Sequence, residues 1–149
     1  MRVLITGSTG FIGRNLKEYF QERGYQINCP GRADLNLLDS DAIREYFTRN
    51  SIDVVIHCGI TLTSVEENLK MYFNLERCSD LYSRMICVGS AAEFDMRNYA
   101  QDMTEDYFRK FIPTDIYGFS KYVVAKDIES NKADILNLRV WGIFGKYED

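Results

Sequence analysis

Arg2-Val3-Leu4-Ile5-Thr6 runs directly into Gly7-Ser8-Thr9-Gly10-Phe11-Ile12-Gly13, and the stretch that follows carries apolar residues at Phe11, Ile12, Leu16, Tyr19 and Phe20. The first run is short, apolar and β-branched, which predicts a strand. The second has helical spacing up to Arg23, and Gly24 stands where a helix stops. Between them lies G-x-x-G-x-x-G. The first glycine permits a tight turn and the second lets the backbone approach a pyrophosphate. The third lets the helix pack on the strand, while the helix N-terminus offers N–H donors and the positive end of its dipole. The spacing departs from G-x-G-x-x-G, so its weight comes from its place between strand and helix.

Outward from this unit the same alternation continues. Tyr25–Cys29 predicts a second strand, and Asp39 or Ser40 caps a helix running to about Asn50, with Ala42, Ile43, Tyr46 and Phe47 on one face. Asp53–His57 is apolar enough for a strand buried on both faces. A helix is expected over 65–82, a strand over 85–88, a helix over 117–131 and a strand over 134–140. Strand and helix alternating at this spacing predict an α/β fold: a doubly wound parallel sheet of Rossmann type with helices on both faces. The polar stretch from Glu93 to Pro113 stands apart. It reads either as a solvated surface loop or as the rim of a site, since it follows the carboxyl end of a central strand.

Composition narrows the function. The 149 residues are 46% hydrophobic and 27% charged, ordinary globular usage for one domain. No apolar run approaches the roughly 18 residues of a spanning helix, and the first residues lack the apolar core of a signal peptide. With 18 Lys and Arg against 22 Asp and Glu, a net charge of -4 argues against nucleic acid as the partner. The four cysteines, Cys29, Cys58, Cys78 and Cys87, form no metal-ligand spacing, and His57 is the single histidine, so no metal site is expected. Free cysteines suit a reducing cytoplasm.

Tyr117-Gly118-Phe119-Ser120-Lys121 places Tyr117 and Lys121 one helical turn apart on the same face. An ammonium there favours the phenolate of a tyrosine whose proton is otherwise lost near pH 10. Y-x-x-x-K alone is usually a surface pair. Here Ser90 follows the fourth predicted strand, at the same end of the sheet as the glycine loop. Its hydroxyl could bond a substrate oxygen while Tyr117 exchanges a proton.

Together these residues resemble the extended short-chain dehydrogenase/reductases, the family of nucleotide-sugar epimerases, dehydratases and reductases. Thr6–Gly13 is similar to its T-G-x-x-G-F-I-G loop, Ser90 falls on its catalytic serine, and Tyr117 and Lys121 fall on its Y-x-x-x-K. Asn68, in N-x5-N-L with Asn74 and Leu75, is similar to its relay asparagine. Asp34-Leu35-Asn36-Leu37-Leu38-Asp39-Ser40 resembles the corresponding segment of GDP-L-fucose synthases and, more loosely, of dTDP-4-dehydrorhamnose reductases. Leu138-Arg139 and Gly142-Ile143-Phe144-Gly145 resemble L-R-x-x-x-V-Y-G-P.

The resemblance implies oxidation, reduction or epimerisation of a nucleotide sugar, with Ser90, Tyr117, Lys121 and Asn68 as catalytic residues. It implies a dinucleotide held by Gly7, Thr9, Gly10, Phe11, Ile12, Gly13, Arg32, Asn36, Leu37, Cys58, Gly59, Tyr117 and Lys121. The departures count as well. Ala91 and Ala92 replace the Asp-Glu pair of dehydratases, and Ala92 stands near the cysteine of fucose synthases. His57 reads as a packing residue beside the cofactor. The chain between His57 and Asn68 is short, so one helix should be reduced or lost. The family's substrate domain lies beyond Asp149, which implies the N-terminal part of a longer enzyme or a truncated product.

No acid closes the second strand; Arg32 stands where a 2′-phosphate would be met, with Asp34 beyond it. NADP is therefore expected ahead of NAD, unless Arg32 is occupied by an ion pair with Asp34. A dinucleotide-binding module without catalysis is the alternative to an enzyme. Apolar residues on more than one side of the helices over 65–82 and 117–131, Tyr72, Phe73, Leu75, Tyr122, Val123 and Val124, predict a homodimer built on these helices, as in the families it resembles.

Overall fold

The structure, a computed structural model, describes residues 1–148. Five parallel strands, β1 (Arg2–Thr6), β2 (Gln26–Asn28), β3 (Val54–His57), β4 (Arg84–Ser90) and β5 (Ile135–Val140), form one sheet in the order β2-β1-β3-β4-β5. The helices are α1 (Phe11–Glu22), α2 (Ser40–Asn50), α3 (Val65–Glu76) and α4 (Ile116–Ser130). The chain reverses direction across the sheet between β2 and β3, both of which pair with β1. That reversal creates the crevice where open α/β sheets take ligands, at the carboxyl ends of the strands.

Strand alternation divides the core. Leu4, Val55, Met85, Cys87 and Ile135 face one side with Ile43, Phe47, Tyr72 and Leu75, so α2, α3 and α4 share that face. Val3, Ile5 and Ile56 face the other side and meet Leu16 and Phe20 of α1. Register carries the α1 face on to Ile86 and Leu136, then Val88 and Leu138. No helix covers it there among the described residues, and Leu136 and Leu138 are 44% and 53% exposed.

Three expectations need correction. The helix predicted over 65–82 ends at Glu76; Ser79–Leu81 form a separate 3-10 turn, in which the Leu81 N–H bonds the Cys78 carbonyl. This break lets Tyr82 turn extended and lie against Phe47. The stretch from Glu93 to Pro113 is not a solvated loop throughout. Ala91, Ala92, Glu93, Phe94 and Asp95 are buried in or beside a 3-10 turn, and Phe94 and Phe108 form a second core with Tyr122 and Ala125 of α4. Finally, Tyr72, Leu75 and Tyr122 are buried within the single chain, so they are not the surplus apolar surface from which a dimer was expected. Residues 58–64 are a loop leading directly to α3.

Candidate active site

α1 differs from the other helices at its N-terminus. Asp39 caps α2, Ser64 caps α3 and Asp115 caps α4, each through its side chain, whereas Gly10 at the start of α1 has none to offer. The N–H groups of Phe11, Ile12 and Gly13 therefore have no acceptor among the described residues. The loop before them is tightly seated. Gly7 has φ +66, and a Cβ there would lie 2.7 Å from the Gly59 nitrogen. A Cβ on Gly13 would meet the Gly7 carbonyl, with Gly7 C and Ser8 Cα at 2.8 Å. The backbone thus folds onto itself, leaving N–H donors aimed outward, a cradle suited to a pyrophosphate.

A cavity of about 410 Å³ opens from this cradle. Gly7 and Thr9 line one side, Gly59 and Thr61 another, and Arg32, Asn36 and Leu37 the far wall. The last two are held by their neighbours: the Asn36 side chain accepts from the Leu38 N–H, and Asn74 of α3 donates to the Leu37 carbonyl at 3.0 Å. Asp34 turns its carboxylate to the Gly31 N–H at 3.2 Å, and Arg32 makes no ion pair among the described residues. The Arg32–Asp34 pair that would have occupied the cation is absent.

Not every expected residue reaches this cavity. Phe11 and Ile12 direct their side chains to a separate groove with Ile143 and Phe144, so their part in the cradle is through the backbone. Cys58 is half-buried below the glycine turn, its N–H bonded to the Thr6 carbonyl, and burial pushes its thiol up to about 12. His57 is buried, with Nδ1 at 2.7 Å from the Thr6 hydroxyl. Burial first, and the Lys121 charge second, push it down to about 3, so it is a neutral packing residue.

Ser90 closes β4, and Tyr117 and Lys121 occupy the first two turns of α4. The Lys121 ammonium is 5.9 Å from the centre of the Tyr117 ring and donates to the Val88 carbonyl. Burial lowers its pKa from the ordinary lysine value. Asn68 is fully engaged: its carboxamide pairs both ways with the Thr61 backbone at 2.8 Å and donates to Ser120 Oγ at 3.0 Å. It therefore clamps the cavity wall to α4 and forms no hydrogen bond with Tyr117.

Sequence reading missed Ser120, although it sits inside the quoted Y-x-x-x-K, and it missed Glu93. That carboxylate is buried and bound to Ser90, Asn137 and Arg139. The signal available was the pairing of one acid after the fourth strand with one arginine in the fifth.

Residues 3–149 match the family described as "NAD dependent epimerase/dehydratase family". Over 161 residues the chain is 26% identical to methionine adenosyltransferase 2 subunit beta of Pongo abelii, covering 99% of this chain and 48% of that protein. The chain therefore spans about half the length of the curated relatives it matches. Its fold matches that of a GDP-D-glycero-L-gluco-heptose synthase from Campylobacter jejuni, solved in the presence of NADPH, with TM-score 0.85, 19% identity, and 99% of this chain on 49% of that one. It also matches a GDP-L-fucose synthetase from Naegleria fowleri bound to NADP, with TM-score 0.77, 21% identity, and 99% on 52%. The glycine cradle, the switch-point cavity and the match over nearly the whole sequence agree, and the chain belongs to the NAD-dependent epimerase/dehydratase family.

Proposed function

We propose that residues 1–149 are the dinucleotide-binding part of an NADP-dependent oxidoreductase or epimerase acting on a nucleotide sugar. The observation that carries this reading is the cavity between the glycine loop ahead of the uncapped α1 and Arg32, which forms no ion pair among the described residues. Ser90, Tyr117 and Lys121 do not line it but stand at the same carboxyl end of the sheet. The α1 N–H groups would hold the pyrophosphate, Asn36 and Leu37 would flank the adenine, and Arg32 would meet a 2′-phosphate. NADP(H), when bound, supplies or accepts the hydride. Tyr117 would give or take the proton at the sugar oxygen, and Ser90 would hold that oxygen by a hydrogen bond. Lys121 would stabilise the negative charge developing on the Tyr117 oxygen and bond the ribose. Asn68 would act by fixing α4 against the cavity wall. Ala91 and Ala92 supply no acid for dehydration.

Turnover with a GDP-linked 4-keto sugar and NADPH tests the reading. Tyr117→Phe should lower kcat by about a hundredfold or more while NADPH affinity is retained. Turnover that survives the substitution refutes the role of Tyr117.

A second reading, a dinucleotide-binding subunit without catalysis, is favoured by the relatives named as subunit beta of methionine adenosyltransferase 2, which match 99% of this chain. It is distinguished by NADPH binding without turnover, together with co-purification with a methionine adenosyltransferase. Either protein would reside in the cytoplasm, where its four free cysteines stay reduced. Assembly as a homodimer through α3 and α4 would use the half-buried Phe73 and Val123, since Tyr72 is spent on Asp127 at 2.7 Å. A monomer in sedimentation equilibrium, or a dimer unaffected by Phe73→Glu, excludes it.

A further inference from the structure

Glu93 is a carboxylate with 0% exposed surface in a segment whose sequence reads as polar loop. Its contacts converge from two strands. The Ser90 N–H donates to Oε1 at 2.9 Å, Arg139 Nε to Oε2 at 2.6 Å, and Asn137 Nδ2 to Oε2 at 3.0 Å. Gly89 makes room for this approach: a Cβ there would lie 2.6 Å from Glu93 Oε1 and would also overlap Asn137 Oδ1. Arg139 is itself held, 14% exposed, between Glu105 and Glu129 and over the ring of Phe108 at 4.5 Å. The other half of the device belongs to Ser90. Its Oγ accepts the Ala92 N–H at 3.1 Å and donates to nothing among the described residues.

A serine hydroxyl has one proton and two lone pairs. With one lone pair committed to Ala92, the proton and the second lone pair remain, and of these only the proton can bond a substrate carbonyl oxygen. We propose that Glu93 is the positioning residue of the Ser90 hydroxyl: anchored on β5 by Arg139 and Asn137, it fixes the Ser90 backbone so that the hydroxyl faces a substrate oxygen as a donor. This rests on the reading of Ser90 given above. Burying a carboxylate is costly unless it is well bonded, and burial does push the Glu93 carboxyl up. Three groups nonetheless give it four hydrogen bonds, since Asn137 Nδ2 also reaches Oε1 at 3.2 Å. A preset donor need not reorganise as negative charge develops on the substrate oxygen, so its effect belongs to the transition state.

Glu93→Gln tests it, because the amide keeps the shape but cannot accept from Ser90 and Arg139 together. In the 15N-labelled chain, the Ser90 amide should exchange with solvent about tenfold faster, while the amides of Val54–His57 keep their protection. With NADPH and a GDP-linked 4-keto sugar, kcat should fall about tenfold while KM stays near its original value. A Ser90 amide that does not respond, or a uniform loosening of all amides, overturns the proposal. So does a change confined to KM. Should Glu93→Gln fail to fold, Arg139→Lys keeps the carboxylate but weakens its anchor; Ser90 exchange must rise there too, and an unchanged rate overturns the proposal. If the unaltered protein turns over no sugar while Ser90 responds, the assignment of function fails and the positioning of Ser90 stands.

Discussion

The two ends of the sheet are held together by different means. Around β2, β1 and β3 both faces are covered, by α1 on one side and by α2 and α3 on the other, and the interior is apolar. Around β4 and β5 only the α4 face is covered among the described residues, and much of the order there comes from charge, through Glu93, Asn137 and Arg139. The first arrangement suits a backbone cradle, whose N–H groups point correctly only if helix and strand are pressed together. The second suits side chains that must present polar atoms to a ligand. Apolar packing places a backbone, and hydrogen bonds aim a hydroxyl.

The sharpest test of the covered end is Gly13→Ala. The added methyl meets the backbone of Gly7 and Ser8, and backbone cannot swing aside as a long side chain does. NADPH affinity should fall about a hundredfold or more, near 2.7 kcal/mol, with a further 1–3 kcal/mol lost from stability as the loop and helix separate. Fluorescence titration of NADPH and urea unfolding measure the two effects. Unchanged affinity would mean that the cradle does not hold the pyrophosphate.

His57 tests the same end through pH. Its folded value of about 3 lies below the ordinary 6.5 because burial disfavours the charged form. In that window the unfolded chain takes up a proton that the folded one refuses. Stability from this group is therefore complete above about 6.5 and is lost as pH falls toward about 3, at about 1.4 kcal/mol per pH unit. Urea unfolding across the window should show a steeper decline for the native sequence than for His57→Asn. Parallel curves would show that the folded imidazole takes up its proton as readily as the unfolded one.

The asymmetry between the two ends also decides what sequence could foretell. Arg2–Gly13 is local: strand, turn and helix lie within a dozen residues, so period and glycine spacing suffice. α2 is capped by Asp39, one of the two caps the sequence offered with Ser40, because an Asx cap is also local. Glu93 is different. Its partner Ser90 is local, in the S-x-x-E spacing of a capping box, but Asn137 and Arg139 lie 44 and 46 residues away, and its burial depends on Gly89 having no side chain. No window of sequence contains that arrangement. Tyr72, Leu75 and Tyr122 went astray for a related reason. A helix face that looks surplus against one strand is consumed when two helices, α3 and α4, pack on each other as well as on the sheet.

A smaller effect sharpens the chemistry of the covered end. Arg32 lines the cavity without an acidic partner among the described residues, so Arg32→Ala removes a cation from the cavity wall and leaves the fold alone. NADP affinity should drop about tenfold to thirtyfold while NAD affinity stays the same, since only NADP carries the 2′-phosphate that a guanidinium can grip. Calorimetric titration of both dinucleotides measures it. An equal loss for the two would place Arg32 against a group they share, such as the pyrophosphate.

The smallest effect is expected at the open end. Leu138 is 53% exposed on the face that α1 does not reach, and Leu136 beside it is 44% exposed. An apolar side chain already half in water gives up little when it becomes polar, and Lys on an edge strand discourages pairing with another chain. Leu138→Lys in this chain should change the unfolding free energy by no more than about 0.5 kcal/mol. Leu4→Ala, in the covered core of β1, should cost about 2–5 kcal/mol by loss of burial and the cavity left behind. Equal costs at the two positions would abolish the distinction between the ends. A large cost for Leu138→Lys in a longer protein or an assembly, with a small one in this chain, would instead identify the β4–β5 face as a surface that other structure covers.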